Sequence, residues 1–291
     1  MADTDRLLAR AESLLERLEA LLPGAGAPDD WSAIAYRWRR RYGRGRLEPV
    51  PHPHRLQAGD LLGVGRQHAL LDANTRQFVA GAPANNALLW GSRGTGKSSL
   101  IKALLSDHAE AGLRLVEVDK HELLDLPDIL ALLDGRPERF LLYCDDLSFE
   151  AEDPSYKALK ALLDGSISVP PDNVLIYATS NRRHLLPEFF SENLETKVVD
   201  EEIHPGESVE EKVSLSDRFG LWISFHPFDQ AQYLAIVRHW LAHFGAPLEP
   251  WAEIEAEALR WALARGSRSG RTAQQYARDR AGRQVIAGRT P

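Results

Sequence analysis

The segment Gly91-Ser-Arg-Gly-Thr-Gly-Lys97-Ser98 gathers three glycines, three hydroxyls and a lysine into eight residues. That mixture suits a phosphate chain, because glycines let the backbone wrap an anion, amides and a helix N-terminus donate to it, and a lysine neutralises its charge. The spelling, G-x-x-x-x-G-K-[ST], lies between the apolar run Asn86 to Trp90 and a helical segment opening at Lys97, the context a phosphate loop requires. A glycine-rich turn that only caps a helix is the plainer reading, but a chance match of this spelling is roughly a few in a thousand. Gly91, Ser92, Arg93, Gly94, Thr95, Gly96, Lys97, Ser98 and Ser99 are therefore the expected nucleotide-binding residues, with Ser98 also a ligand of Mg²⁺.

Two further runs end in groups that such a loop can use. Phe140-Leu-Leu-Tyr-Cys-Asp145-Asp146 is an apolar stretch closed by two carboxylates. An acid at the C-terminal end of a buried parallel strand lies beside the phosphate loop, where it can hold the metal's shell. Asp145 is assigned to the metal side, and Asp146 to orienting or deprotonating an attacking water. Cys144 reads as a small buried hydrophobe and receives no chemistry. Val174-Leu-Ile-Tyr-Ala-Thr-Ser-Asn181 is a third apolar run with a polar end. On its own a Ser-Asn ending means a turn. If the strand lies between the other two, Asn181 points toward the γ-phosphate and can position water.

These residues need elements to hold them. Asn86 to Trp90, Leu113 to Val118, Phe140 to Cys144, Val174 to Ala178 and Leu221 to Phe225 read as five buried strands separated by helices or loops. The pattern predicts an α/β domain around a mostly parallel sheet with both faces covered. Segments 229–244, 251–264 and 270–282 read as helices and form an all-helical C-terminal unit. Before the core, Asp5 to Leu22 has the spacing of an amphipathic helix ended by Pro23-Gly24. Residues 24–30 read as a linker, 31–42 as a second short helix, and the proline- and glycine-rich run that follows as an extended connector. The acidic stretch 200–211 reads as a solvated loop. The expected division is 1–58 helical arm and linker, 59–227 α/β nucleotide-binding domain, and 228–291 helical lid.

Composition bounds what this arrangement does. In 291 residues, 44% are hydrophobic and 26% charged, which excludes wholesale disorder and fibrous repeats. A net charge of -7 excludes a uniformly basic nucleic-acid coat, so any such contact must be regional. One cysteine makes no internal disulfide and no cysteine-rich metal site. No run approaches the length of a spanning helix and no signal-peptide core opens the chain, so the expectation is a cytoplasmic protein without membrane partners.

The phosphate loop, the paired acids, the Thr-Ser-Asn strand end, the Ser216-Asp-Arg-Phe-Gly-Leu segment and the helical tail together resemble an AAA+ ATPase. More narrowly, LLGVGRQ, NNALLWGSRGTGKSSL, CDDLSFE, NVLIYATSNRRHLLPE, EEIHPGESVEEKVSLSDRFGL and SGRTAQQY resemble a bacterial family of AAA+ ATPases catalogued as a domain of unknown function, number 815. The resemblance spans about residues 45 to 285. It implies that Leu62, Gly63 and Gln67 contact adenine, and that Asn181 is the sensor-1 residue. It also implies that Arg218 is an arginine finger reaching a neighbouring subunit's γ-phosphate, and that Arg271 on the lid is the sensor-2 residue, with Arg268 the competing choice. ATP with Mg²⁺ is the implied cofactor and a homo-oligomer the implied assembly.

One departure bears on catalysis. Many AAA+ enzymes close the third strand with Asp-Glu, whereas this chain has Asp145-Asp146. A shorter carboxylate reaches less far, so hydrolysis is expected to be slow, or Glu150 contributes from four residues on. Trp31 to Arg46 interleaves arginines with Trp and Tyr, which suits nucleic acid, but packing of the aromatics on the core, with the arginines facing water or a neighbouring subunit, is the favoured reading. His52 and His54 straddle a proline and lack further metal ligands. The expected function is ATP hydrolysis that remodels or loads a protein or nucleic-acid partner. The alternatives are a nucleotide-gated assembly module with negligible turnover and, less favoured, a small-molecule kinase.

Overall fold

Along the central strands apolar side chains point alternately to the two faces, so each strand has to be covered on both sides. Leu88 packs with Val116, Leu142 and Ile176 on one face, while Ala87 and Leu89 pack with Leu141, Leu115 and Tyr177 on the other. The computed structural model describes residues 27–28, 30–41, 43–150, 153–164, 170–183, 185, 197–199, 202–204 and 215–287.

The strands are β1 (Ala35–Arg41), β2 (Arg44–Pro49), β3 (Ala87–Gly91), β4 (Leu113–Glu117), β5 (Arg139–Cys144), β6 (Val174–Ser180), β7 (Lys197–Val199), β8 (Glu202–His204) and β9 (Leu221–Phe225). The helices are α1 (Gly65–Val79), α2 (Lys97–His108), α3 (Leu126–Leu133), α4 (Pro154–Leu163), α5 (Gln230–His243), α6 (Trp251–Ala264) and α7 (Gly270–Ala287). Seven strands form the main sheet in the order β2-β1-β4-β5-β6-β3-β9. All neighbours run parallel except the β1–β2 pair. The five strands expected from the sequence are all present, and β6 lies between β5 and β3. The three expected lid segments are helices α5, α6 and α7.

The expectation of five strands is corrected to seven, and the helix expected over 31–42 is replaced by β1. Tyr36 and Trp38 point into the core at 0% and 1% exposure, with arginines alternating between and after them. The indole N–H of Trp38 donates to Asp125 Oδ2 at 3.0 Å, so its polar edge is satisfied where the ring is buried. Part of the expected connector is β2, which pairs antiparallel with β1 across Gly43 at φ 78°. The helix expected at Asp5 to Leu22 lies outside the described residues. Within the acidic stretch, β8 pairs with β7 as a two-stranded antiparallel sheet, and residues 200, 201 and 205–211 lie outside the described set.

Candidate functional site

β3, β5 and β6 lie side by side and end at one edge, which brings three distant polar segments together. β3 feeds the phosphate loop. Gly91, Gly94 and Gly96 adopt φ values of 128°, 72° and 102°, a left-handed region in which a Cβ is strained. α2 starts at Lys97 with Gly96 as its N-cap residue, so the loop runs directly into a helix N-terminus.

Lys97 is 6% exposed, and its ammonium donates to the Gly91 carbonyl at 2.7 Å, the Ser92 carbonyl at 2.8 Å and Asn181 Oδ1 at 3.2 Å. Burial pushes its pKa below the ordinary lysine value, and the neighbouring Asp146 and Asp145 carboxylates oppose that shift. The Ser98 hydroxyl donates to Asp145 Oδ1 at 2.7 Å. For Asp145, burial acts to raise the pKa, but hydrogen bonds from Thr179 and Ser98 outweigh it and hold the carboxyl below its usual range. A carboxylate beside a serine hydroxyl is the hard oxygen donor set that Mg²⁺ prefers.

Asp146 follows at φ 50°, the one non-glycine residue among those described that takes a positive φ. The Asn181 amide donates to its Oδ1, and Arg93 of the phosphate loop stands 3.6 Å from its Oδ2. Asn181 thus bridges Lys97 and Asp146, as the position of β6 between β5 and β3 leads one to expect.

A cleft of about 490 Å³ opens over these groups. Its polar half is lined by Arg93 to Ser99, Asp145, Asp146, Thr179, Asn181 and Arg271, and its apolar half by Leu61, Leu62, Val64, Phe228, Ile236 and Trp240. The start of α7 approaches the loop closely. The Gly270 amide at the start of α7 donates to the Gly94 carbonyl at 2.8 Å, and a Cβ on Gly94 would stand 2.8 Å from Ser269.

Several expected residues lie elsewhere. Gly91 and Ser92 present their carbonyls to Lys97 and do not line the cleft. Gly63 turns with φ 78° against the Phe228 ring, and Gln67 donates to the Ser224 carbonyl at 3.1 Å. Of the same expected segment, Leu62 does line the apolar wall, together with its neighbours Leu61 and Val64. Arg271 lines the cleft, whereas Arg268 is exposed outside it, and Glu150 is exposed and outside it as well. Arg218 lies away from the cleft, paired through Nε with Asp164. Of the basic segment, Arg37 pairs with Glu117, Arg39 with Asp119 and Arg40 with Asp125. Tyr36 and Trp38 are buried and offer no face for a stacked base.

Sequence reasoning missed the contribution of Phe228, Ile236 and Trp240 from the C-terminal helices and the turn before them, and it gave Thr179 no role in the site. The first three are apolar positions of ordinary helices and turns, brought to Leu61 across more than 160 residues by the fold alone. Among the described residues, no helix is long and apolar enough to cross a membrane.

A family model described as "Protein of unknown function (DUF815)" matches residues 31–284. No curated protein matches the chain. Among solved structures, three substituted forms of RuvB from Thermotoga maritima superpose on it. One is 14% identical over 76% of this chain and 63% of its own, with a TM-score of 0.50. A second is 15% identical over the same shares at 0.51, and a third is 18% identical over 77% and 65% at 0.50. The chain therefore spans less than two thirds of RuvB. At these identities the likeness establishes the shared α/β fold and nothing narrower.

Proposed function

From the premise that this chain belongs to the DUF815 family, we propose that it is an AAA+ ATPase that binds ATP with Mg²⁺ and hydrolyses it to remodel or load a partner. The observation that carries this reading is the convergence on one cleft of Lys97, the Ser98–Asp145 pair and the Asn181–Asp146 pair, drawn from three adjacent strand ends. The left-handed glycines of the loop leave room that side chains would fill, and the donor set at Ser98 and Asp145 fits a divalent cation. Held by Ser98 and Asp145, Mg²⁺ would supply charge neutralisation to the phosphate chain.

The chain's own residues account for the rest. Amides of residues 94–99 and the N-terminus of α2 hold the phosphate chain, and Lys97 exchanges part of its carbonyl contacts for phosphate oxygens. The apolar wall of Leu61, Leu62, Val64, Phe228, Ile236 and Trp240 suits a purine ring. Asp146 and Asn181 align a water for in-line attack, and Arg271 places a lid charge over the phosphates. A nucleotide-binding core ending at 227 and a lid from 228 are the corresponding units, and Arg218 completes the site of a neighbouring copy.

A second reading, a nucleotide-gated assembly module with negligible turnover, is favoured by Asp146 itself, a short carboxylate already held by Asn181 and Arg93. Calorimetric titration with ATP and Mg²⁺ tests the shared premise: the unsubstituted chain binds and Lys97→Ala does not. Steady-state phosphate release then separates the two readings. An Asp146→Asn loss of about a hundredfold or more supports hydrolysis as the working step. Equal, slow rates in both forms, with ATP still driving assembly, support the switch. A chain that ignores millimolar ATP and ADP with Mg²⁺ overturns both.

A further inference from the structure

We propose that Thr179, the first residue of the Thr-Ser-Asn strand end and one given no role by the resemblance, is a positioning residue that sets the geometry of the two acids ending β5. The inference rests on the ATP-binding reading above and deepens it. Thr179 is 1% exposed on β6, and its single hydroxyl makes two bonds of opposite sense. It donates to Asp145 Oδ1 at 2.5 Å and accepts from the Asp146 backbone N–H at 2.9 Å. One side chain therefore fixes the carboxylate of the metal-side residue and the backbone of the next residue together.

The backbone it holds is the one that needs holding. Asp146 sits at φ 50°, where an L-residue is disfavoured by about 1–2 kcal/mol, and such a conformation persists only when its surroundings enforce it. The same strand end supplies further restraint. The Leu147 amide donates to the Thr179 carbonyl at 2.7 Å, and the Ser180 hydroxyl donates to the Leu147 carbonyl at 2.7 Å. Asn181 holds the Asp146 carboxylate itself. The turn 145–147 is thus gripped residue by residue by 179–181.

Thr179 and Ser98 both donate to Oδ1 of Asp145. With its proton committed to that oxygen, the Ser98 hydroxyl keeps its lone pairs for a cation. Without the Thr179 hydroxyl, Asp145 loses one of these donors and the Asp146 amide loses its side-chain acceptor. Both acids then turn relative to the phosphate loop. Metal engagement and turnover suffer while the phosphate grip of Lys97 and α2 stays intact.

The test compares Thr179→Val, which keeps the shape and removes the hydroxyl, with Thr179→Ser, which keeps it. Thermal unfolding of each establishes that it is folded, and Thr179→Ala carries the same comparison if the valine form is not. ATP affinity in EDTA is expected to stay within about twofold of the unsubstituted chain for all forms. Mn²⁺ affinity of the ATP complex, read by electron paramagnetic resonance, and kcat are each expected to fall about ten- to a hundredfold in Thr179→Val, the cost of removing a hydrogen bond to a charged group. KM for ATP moves little, and Thr179→Ser recovers to within about threefold. A Thr179→Val form that binds Mn²⁺ and turns over like the original, or a serine form as impaired as valine, overturns this inference alone. Failure of the unsubstituted chain to bind ATP in EDTA or with metal overturns it together with the reading it rests on.

Discussion

At Gly91 the backbone turns with φ 128°, and a Cβ there would stand 2.0 Å from the Phe225 carbonyl oxygen. That carbonyl accepts the Ser92 amide at 3.1 Å, so the first glycine of the phosphate loop is also where β9 closes against it. Gly43 is the useful contrast, with φ 78° but nothing within 4 Å of a built Cβ. Gly43→Ala meets only the local backbone penalty of about 1 kcal/mol. Gly91→Ala adds a main-chain collision that no rotamer relieves, and its cost is expected to exceed that of Gly43→Ala by about 2 kcal/mol or more. Urea midpoints at constant m-value measure both. The pair isolates close packing from conformational strain, and equal midpoints would show that Gly91 is held by its φ alone.

Among the elements, the β1–β2 hairpin has the greatest distance between sequence and structure. Trp31, Ile34, Ala35 and Trp38 recur at helical spacing, while Tyr36 and Trp38 with Arg37 and Arg39 alternate at strand spacing. The segment satisfies both periods, and local pattern alone does not choose between them. Tertiary partners choose: β1 lies parallel to β4, and the acids Glu117, Asp119 and Asp125 receive its arginines. The five expected strands, β3, β4, β5, β6 and β9, and the glycine-rich turn that follows β3 were legible because long apolar runs between turn-forming breaks admit one reading. The apolar cleft wall was not, because nothing in Leu61 or Trp240 encodes the other. Trp38→Ala removes a fully buried ring and the indole donor to Asp125, and is expected to destabilise by about 3–5 kcal/mol. Urea denaturation reads this. A loss below about 1 kcal/mol would mean that the hairpin is an appendage rather than part of the sheet's core.

For the whole molecule, among the described residues the arginines and lysine around the cleft are Arg93, Lys97 and Arg271, from the glycine-rich loop and α7. Arg218 is absent from that lining and is paired with Asp164, whose side chain is 40% exposed. An arginine so placed stabilises a transition state only if a neighbouring copy presents its own cleft to it, and closed rings or filaments supply that arrangement. Lys97→Ala and Arg218→Ala are therefore expected to be inactive for different reasons, one lacking phosphate binding and the other lacking a finger for its neighbour. Mixed in equal amounts at assembling concentration, they create interfaces that join an intact cleft to an intact finger. Random placement yields such interfaces at about a quarter of positions, so roughly that share of the unsubstituted ATPase rate returns. An arginine acting within its own chain gives no such recovery, because every subunit in the mixture still lacks one of the two groups. Phosphate release from the mixture, followed as total protein is diluted, tests both halves of the argument, since a rate contributed in trans disappears with the assembly while one contributed within a chain does not.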